Sequence, residues 1–174
     1  NRRDPEGVVP KRSSGDQPDI GQQQGGGQQS EASQRHPAAL AAELDAPMVQ
    51  GDLSDLGDSD ALFTRACTAA GGPIDGLVNS ASAFEFDRPP QTDADLMAKL
   101  YAINAAAPVL LASALARQDD VADGAVVDIL DQKLANPNPD FFAYSCAKFA
   151  LAGANMMLGQ GLGPRIAVNA VAPG

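Results

Sequence analysis

Residues 124–148 read Gly-Ala-Val-Val-Asp-Ile-Leu-Asp-Gln-Lys-Leu-Ala-Asn-Pro-Asn-Pro-Asp-Phe-Phe-Ala-Tyr-Ser-Cys-Ala-Lys. The apolar run at 125–130 predicts a strand that closes at Asp131. Residues 131–140, with Pro137 and Pro139, predict a loop. Tyr144 then stands at the start of a helix that runs to about residue 161, where Gly163-Pro164 stops it. Tyr144 and Lys148 are four apart and share one helical face. A free phenol titrates near pH ~10. An ammonium held beside it favours the phenolate and lowers that value. The pair is therefore a candidate general acid for a carbonyl or imine. A Tyr/Lys pair on an exposed amphipathic face has the same spacing, so the context has to decide.

The context is an alternation of strands and helices. Upstream, 38–44 predicts a short helix with Pro37 in its first turn, and 47–50 a short strand ending at Gly51-Asp52-Leu53. Ser59 or Asp60 caps a helix through Ala70, stopped by Gly71-Gly72. Residues 74–78 predict a buried strand closed by Asn79-Ser80-Ala81-Ser82. A long helix follows over 93–117. Downstream, 165–171 predicts a last strand before Ala172-Pro173-Gly174. The strands are short apolar runs without clean alternation, as in a parallel sheet covered on both faces. This is an α/β layer architecture in which ligands bind at the strand C-termini. Every distinctive polar cluster falls at such an end: Asp52, 79–82, Asp131 and Pro173-Gly174. Asp128 lies inside the strand before Asp131, and if buried it needs a partner.

Composition narrows the function classes. The formal net charge of −10 argues against nucleic acid or an anionic membrane as the main partner. No apolar run approaches transmembrane length. Cys67 and Cys146 lack metal-ligand spacing, and His36 is the single histidine, so no metal site is expected. Both cysteines read as reduced core thiols, which fits a cytoplasmic protein. Residues 1–36 differ from the rest. Gln22-Gln23-Gln24, Gly25-Gly26-Gly27 and scattered Ser and Pro read as a low-complexity, disordered segment. Gly21-x-x-x-Gly25-x-Gly27 has the form of a nucleotide loop, but no apolar strand precedes it and no helix follows, so coincidence is the better reading.

Taken in order, these residues resemble the short-chain dehydrogenase/reductase family over 38–174. Gly51-Asp52-Leu53 is similar to the strand-end aspartate that contacts the adenine. Residues 77–82 are similar to the Asn-Asn-Ala-Gly segment beside the cofactor. Asn104 resembles the helix asparagine of the catalytic tetrad, and Tyr144 with Lys148 the Tyr-x-x-x-Lys. Residues 165–174 are similar to the strand and Pro-Gly turn beside the nicotinamide. The resemblance implies a nicotinamide cofactor, NADPH or NADH, held by Asp52, Leu53, Asn79, Ser80, Ala81, Tyr144, Lys148, Pro173 and Gly174. It implies Tyr144, Lys148, Asp131 and Asn104 as catalytic residues.

Two departures resemble the pteridine reductase group, which includes dihydromonapterin reductases. Asp131 stands where the family usually has a serine, and 79–84 runs Asn-Ser-Ala-Ser-Ala-Phe. That resemblance implies a pterin stacked on Phe84, Ser82 in hydrogen-bonding reach of it, and Asp131 assisting Tyr144. Bland alternatives stand beside these roles. Asp131 suits a strand-end turn, Phe84 suits a core, and Asn104 suits a buried helix amide with a backbone partner.

The expected fold is a partial Rossmann-like, doubly wound parallel sheet in 37–174, with helices on both faces, lacking the first two strands and the last. The 20 residues between Gly27 and Met48 cannot hold the intervening elements, since one βαβ unit takes ~30 residues. Two functional expectations follow. The chain is an NAD(P)H-dependent reductase of a pterin or a similar small carbonyl or imine, or it is a cofactor-free remnant that only oligomerises or is unstable. A homo-oligomer would use the helices at 93–117 and 144–161, with Leu110, Leu111, Leu151, Met156, Met157 and Leu162 as its apolar face. Burial of that stripe against the protein's own sheet is the competing expectation.

Overall fold

The computed structural model describes residues 37–174; the expectations for 1–36, including the Gly21–Gly27 loop, lie outside the described residues. Helix α1 (Pro37–Glu43) buries no residue. Residues 47–50 form no strand and run as irregular chain. Pro47 cannot donate to a ladder, and no partner strand lies beside this segment among the described residues. A 3-10 turn at Leu56–Asp58, capped by Asp55, leads into α2 (Ser59–Ala70). The N-cap of α2 is thus Asp58, and Ser59 is its first helical residue. Its C-terminus is as the sequence predicts, with Gly71 at φ 80° in the left-handed conformation only glycine takes without strain.

Strands β1 (Gly76–Asn79), β2 (Gly124–Ile129) and β3 (Ile166–Val171) form one parallel sheet in that order. Register places Leu77, Val126 and Val168 in one row, and Asn79, Asp128 and Ala170 in the next toward the C-terminal edge. The helices α2, α4 (Ala107–Ala116) and α5 (Phe142–Leu162) pack on the face carrying the first row. There Phe63, Ala112, Leu115, Val126 and Ile166 make the main core, with Leu77, Leu111, Leu162 and Val168 against it. Alternate residues point the other way, and Val78 (63% exposed) and Val171 (52%) are open. The partial Rossmann-like parallel sheet is therefore present, with α2, α4 and α5 on one face of it.

The crossover from β1 to β2 is one continuous rod. Asp93 caps its start by accepting from the Leu96 N–H at 2.8 Å, and α3 (Ala94–Tyr101) passes through a π turn (Ala102–Ala106) into α4. The turn has a local cause. Pro108 has no N–H to return to Asn104 four residues back, and an α-helical path would drive its ring into that carbonyl. At the far end Arg165 donates to the carbonyls of Ala116, Gln118 and Val121, a cation set on a helix C-terminus. By length and composition alone, Ala94–Ala116 is a helix long and apolar enough to cross a membrane, which corrects the expectation that no segment approaches that length. In the fold it is a packed rod, with Leu100, Ala105, Ala107, Ala112 and Leu115 buried.

Candidate active site

The C-terminal end of β2 and the first turns of α5 bring Asp131, Tyr144 and Lys148 together, and the start of α5 fixes them. Phe141, at φ 56° and ψ 49°, turns the loop sharply into the helix. A bulky residue in the left-handed region is strained. Asp87 compensates from a distant loop. Its buried carboxylate accepts from the Ala143 N–H at 3.0 and 3.1 Å and from the Thr92 hydroxyl at 2.6 Å, while its carbonyl accepts from the Phe141 N–H at 2.9 Å. The orphan donors of a helix start thus find their partner 56 residues away. No local sequence signal marks Asp87.

Tyr144 is 5% exposed and donates its hydroxyl to Asp131 Oδ2 at 2.7 Å. The other Asp131 oxygen accepts from the Lys133 N–H at 2.8 Å and caps a 3-10 turn, Gln132–Leu134. Asp131 is therefore both the strand-end turn residue and the partner of the phenol. Lys148 is 3% exposed; its ammonium donates to the Ile129 carbonyl at 2.7 Å and lies 5.8 Å from the Tyr144 ring centre.

The expectation that the ammonium of Lys148 lowers the pKa of Tyr144 is corrected. The phenol is pushed up, above all by burial, then by the hydrogen bond and charge of Asp131, with Ser82 working weakly the other way. A carboxylate that accepts the phenol proton holds it in place. Folding raises this pKa, so the neutral phenol contributes stability that is whole below pH ~10 and lost as pH rises through the folded value. An absorbance difference titration at 295 nm between the parent chain and Tyr144→Phe should show the Tyr144 transition above pH ~10. In Asp131→Asn it should move down. A Tyr144 transition below that of a free phenol would overturn the direction.

Asn104 is fully buried in the π turn, and both ends of its amide are engaged. The nitrogen donates to Ala83 O at 2.9 Å and Leu100 O at 3.0 Å. The oxygen accepts from Ser82 Oγ at 2.7 Å and the Ala83 N–H at 3.1 Å. It staples the 82–83 loop to the rod beside Tyr144, as a buried helix amide with backbone partners does. Phe84 is not a core residue, being 54% exposed. It meets Tyr144 edge-on at 4.7 Å and stacks on Phe141 at 4.0 Å, and Phe86 meets Phe141 edge-on at 5.2 Å. Phe141, three residues before Tyr144, completes an aromatic wall that the sequence reading did not include.

The residues assigned to a dinucleotide divide. Ser80 and Ala81, just past β1, and Pro173 and Gly174, past β3, are exposed at the strand ends. Asp52 is exposed, its carboxylate turned onto Ser54 N and Oγ at 2.9 and 2.7 Å, which lowers its pKa; Leu53 beside it is half-buried. Asn79 is directed inward and donates to Asp128 at 2.8 Å. The donor set fits the nicotinamide end of such a cofactor. No phosphate cradle appears among the described residues.

Comparison with known proteins places this geometry. The sequence profile of the short chain dehydrogenases matches residues 26–174. Nothing matches among curated proteins. Among solved structures, FolM alternative dihydrofolate reductase 1 from Brucella canis, complexed with NADP, is 39% identical with a TM-score of 0.73 over 79% of this chain. Its Brucella suis counterpart, also with NADP, is 40% identical with a TM-score of 0.72 over 79%. A blue fluorescent protein from a metagenomic library, with NADPH, is 28% identical with a TM-score of 0.72 over 83%. The chain spans 56%, 59% and 61% of those three proteins' own lengths. The profile match over most of the sequence, on a parallel sheet that ends in this tyrosine, lysine and aspartate, makes the chain a member of the short chain dehydrogenase family.

Proposed function

We propose that the chain is an NADPH-dependent reductase of small, flat C=N or C=O substrates, a dihydropterin above all. The observation that carries the reading is the 2.7 Å bond between the Tyr144 hydroxyl and Asp131, set under the open ring of Phe84. The relatives supply the rest of the support, since two are dihydrofolate reductases complexed with NADP. When bound, the nicotinamide supplies the hydride to the substrate carbon. The chain's own residues handle the proton. Tyr144 gives its phenolic proton to the substrate nitrogen or oxygen. Asp131 holds the hydroxyl in place until then, and the Lys148 ammonium stabilises the phenolate that remains. Phe84 offers a face to a planar heterocycle, with the Ser82 hydroxyl in the same loop.

The free, half-buried thiols of Cys67 and Cys146 suit a reducing, cytoplasmic setting. The α3–α4 rod and α5 are the surfaces we assign to a second copy. Leu151 belongs to the core, but Phe149, Met156 and Met157 on α5 are 46%, 69% and 67% exposed, more apolar surface than a free helix face needs.

NADPH titration of the purified chain, read by thermal unfolding and followed by a 7,8-dihydropterin assay, tests the reading. A ligand at one hundred times its Kd stabilises by ~2.7 kcal/mol, several degrees in a domain of this size. A saturable rise with turnover supports the reductase. No shift at millimolar NADPH assigns the chain to the cofactor-free reading.

A further inference from the structure

Asp128 is a buried acid that the proposed reaction does not use. It is 1% exposed, in the middle of the central strand. Its two oxygens accept from separate amides: Asn79 Nδ2 on β1 at 2.8 Å and Asn155 Nδ2 on α5 at 2.8 Å. Asn155 also donates to Asn169 O on β3 at 2.9 Å. Both oxygens face donors and neither faces an acceptor, which is the environment of an anion rather than of a carboxyl O–H. One carboxylate thus gathers all three strands and the Tyr144 helix at the strand ends.

Lys148 is the complement of this anion. It stands two turns before Asn155 on the same face of α5. It is 3% exposed, and its hydrogen bond goes to the neutral carbonyl of Ile129, the residue after Asp128. A buried ammonium without a direct ion pair needs counter-charge from nearby. Among the described residues, two charged groups act on it. Asp131 at the end of β2 has its oxygens on Tyr144 and Lys133, and Asp128 lies within the strand. The neighbouring strands present neutral amides, Asn79 and Asn169, and its own helix presents the Tyr144 phenol.

We propose that Asp128 is a positioning residue of this site: its buried carboxylate is the second counter-charge that keeps Lys148 an ammonium beside Tyr144. Burial draws the Lys148 pKa down, while Asp131 first and Asp128 second oppose it. The proposal rests on the reductase reading for what the charge serves, but its test needs neither cofactor nor turnover.

Selective 13C labelling at lysine Cε makes the Lys148 ammonium visible by NMR in the full chain, with Lys148→Met assigning its signal among the four lysines. Asp128→Asn keeps the shape and removes the charge. Its Lys148 midpoint should fall by about one pH unit or more, a tenfold loss of proton affinity. Equal midpoints in Asp128→Asn and the parent overturn the proposal. A second variant covers the case in which Asp128→Asn does not fold. Asp131→Asn leaves Asp128 as the remaining counter-charge, so Lys148 should stay an ammonium at pH 7.5. A neutral Lys148 in Asp131→Asn would mean that Asp131 holds the charge alone. A chain that fails to bind NADPH but shows the Asp128→Asn shift refutes the reductase reading and leaves this one standing.

Discussion

Tyr144→Phe is expected to lower kcat for NADPH-dependent dihydropterin reduction by about 10²–10⁴-fold, the range a positioned general acid contributes. NADPH affinity should change little, because the ring keeps its place against Leu100 and Ala143. The variant loses one hydrogen bond and leaves Asp131 Oδ2 without its donor. A charge-assisted bond of this kind is worth ~1.5–3 kcal/mol, and water reaching the half-buried carboxylate recovers part of that. The chain should therefore remain folded and the defect be chemical. Asp131→Asn separates the two functions of the pair. It still accepts from the phenol but no longer holds the proton by charge, so its loss should be smaller and its pH profile should shift toward lower pH. If Tyr144→Phe keeps kcat within threefold of the parent, the phenol is not the proton donor.

Much of this site was legible in the sequence because it sits on regular elements. The Tyr144 helix, the rod at 93–117 and the three strands follow from apolar runs and Gly and Pro stops, all local signals. Asp131 was readable as a partner of Tyr144 through the resemblance to the pteridine reductase group, which implies it. Three things were not legible, each for a non-local reason. The capping of α5 by Asp87 depends on a loop 56 residues upstream. The upward shift of the Tyr144 pKa depends on where the phenol hydroxyl points, and periodicity places the ring but not the hydrogen bond. The absence of a strand at 47–50 depends on a missing partner, since an apolar tetrapeptide pairs only if a neighbour is there. Asn79 shows the same limit. Its position at a strand end suggested a ligand, whereas its register partner is Asp128, which takes its amide.

Leu100→Ala should be the most damaging single change outside the reacting groups. Leu100 is fully buried and lies directly under the catalytic helix, touching Ala143 and Tyr144 with Ala83, Leu96, Met97 and Phe141 around it. Its carbonyl also accepts from Asn104 at 3.0 Å. Truncation removes the apolar contacts and leaves a cavity, at ~2–5 kcal/mol for a buried Leu→Ala change. A domain of this size has ~5–15 kcal/mol in all, so the urea midpoint should drop by a large fraction at unchanged slope. Leu100→Met, which conserves volume, should cost less than ~1.5 kcal/mol. The cluster around Leu100 is separate from the main core under β2, and it is what backs the Tyr144 ring. Folded Leu100→Ala protein should therefore also lose kcat, because a reacting group displaced by ~1 Å can cost 10²-fold. Its Tyr144 transition should shift down toward the free-phenol value as water reaches the ring. A stability loss under ~1 kcal/mol with full activity would show that the Asp131 bond and the Asp87 cap hold Tyr144 without this packing.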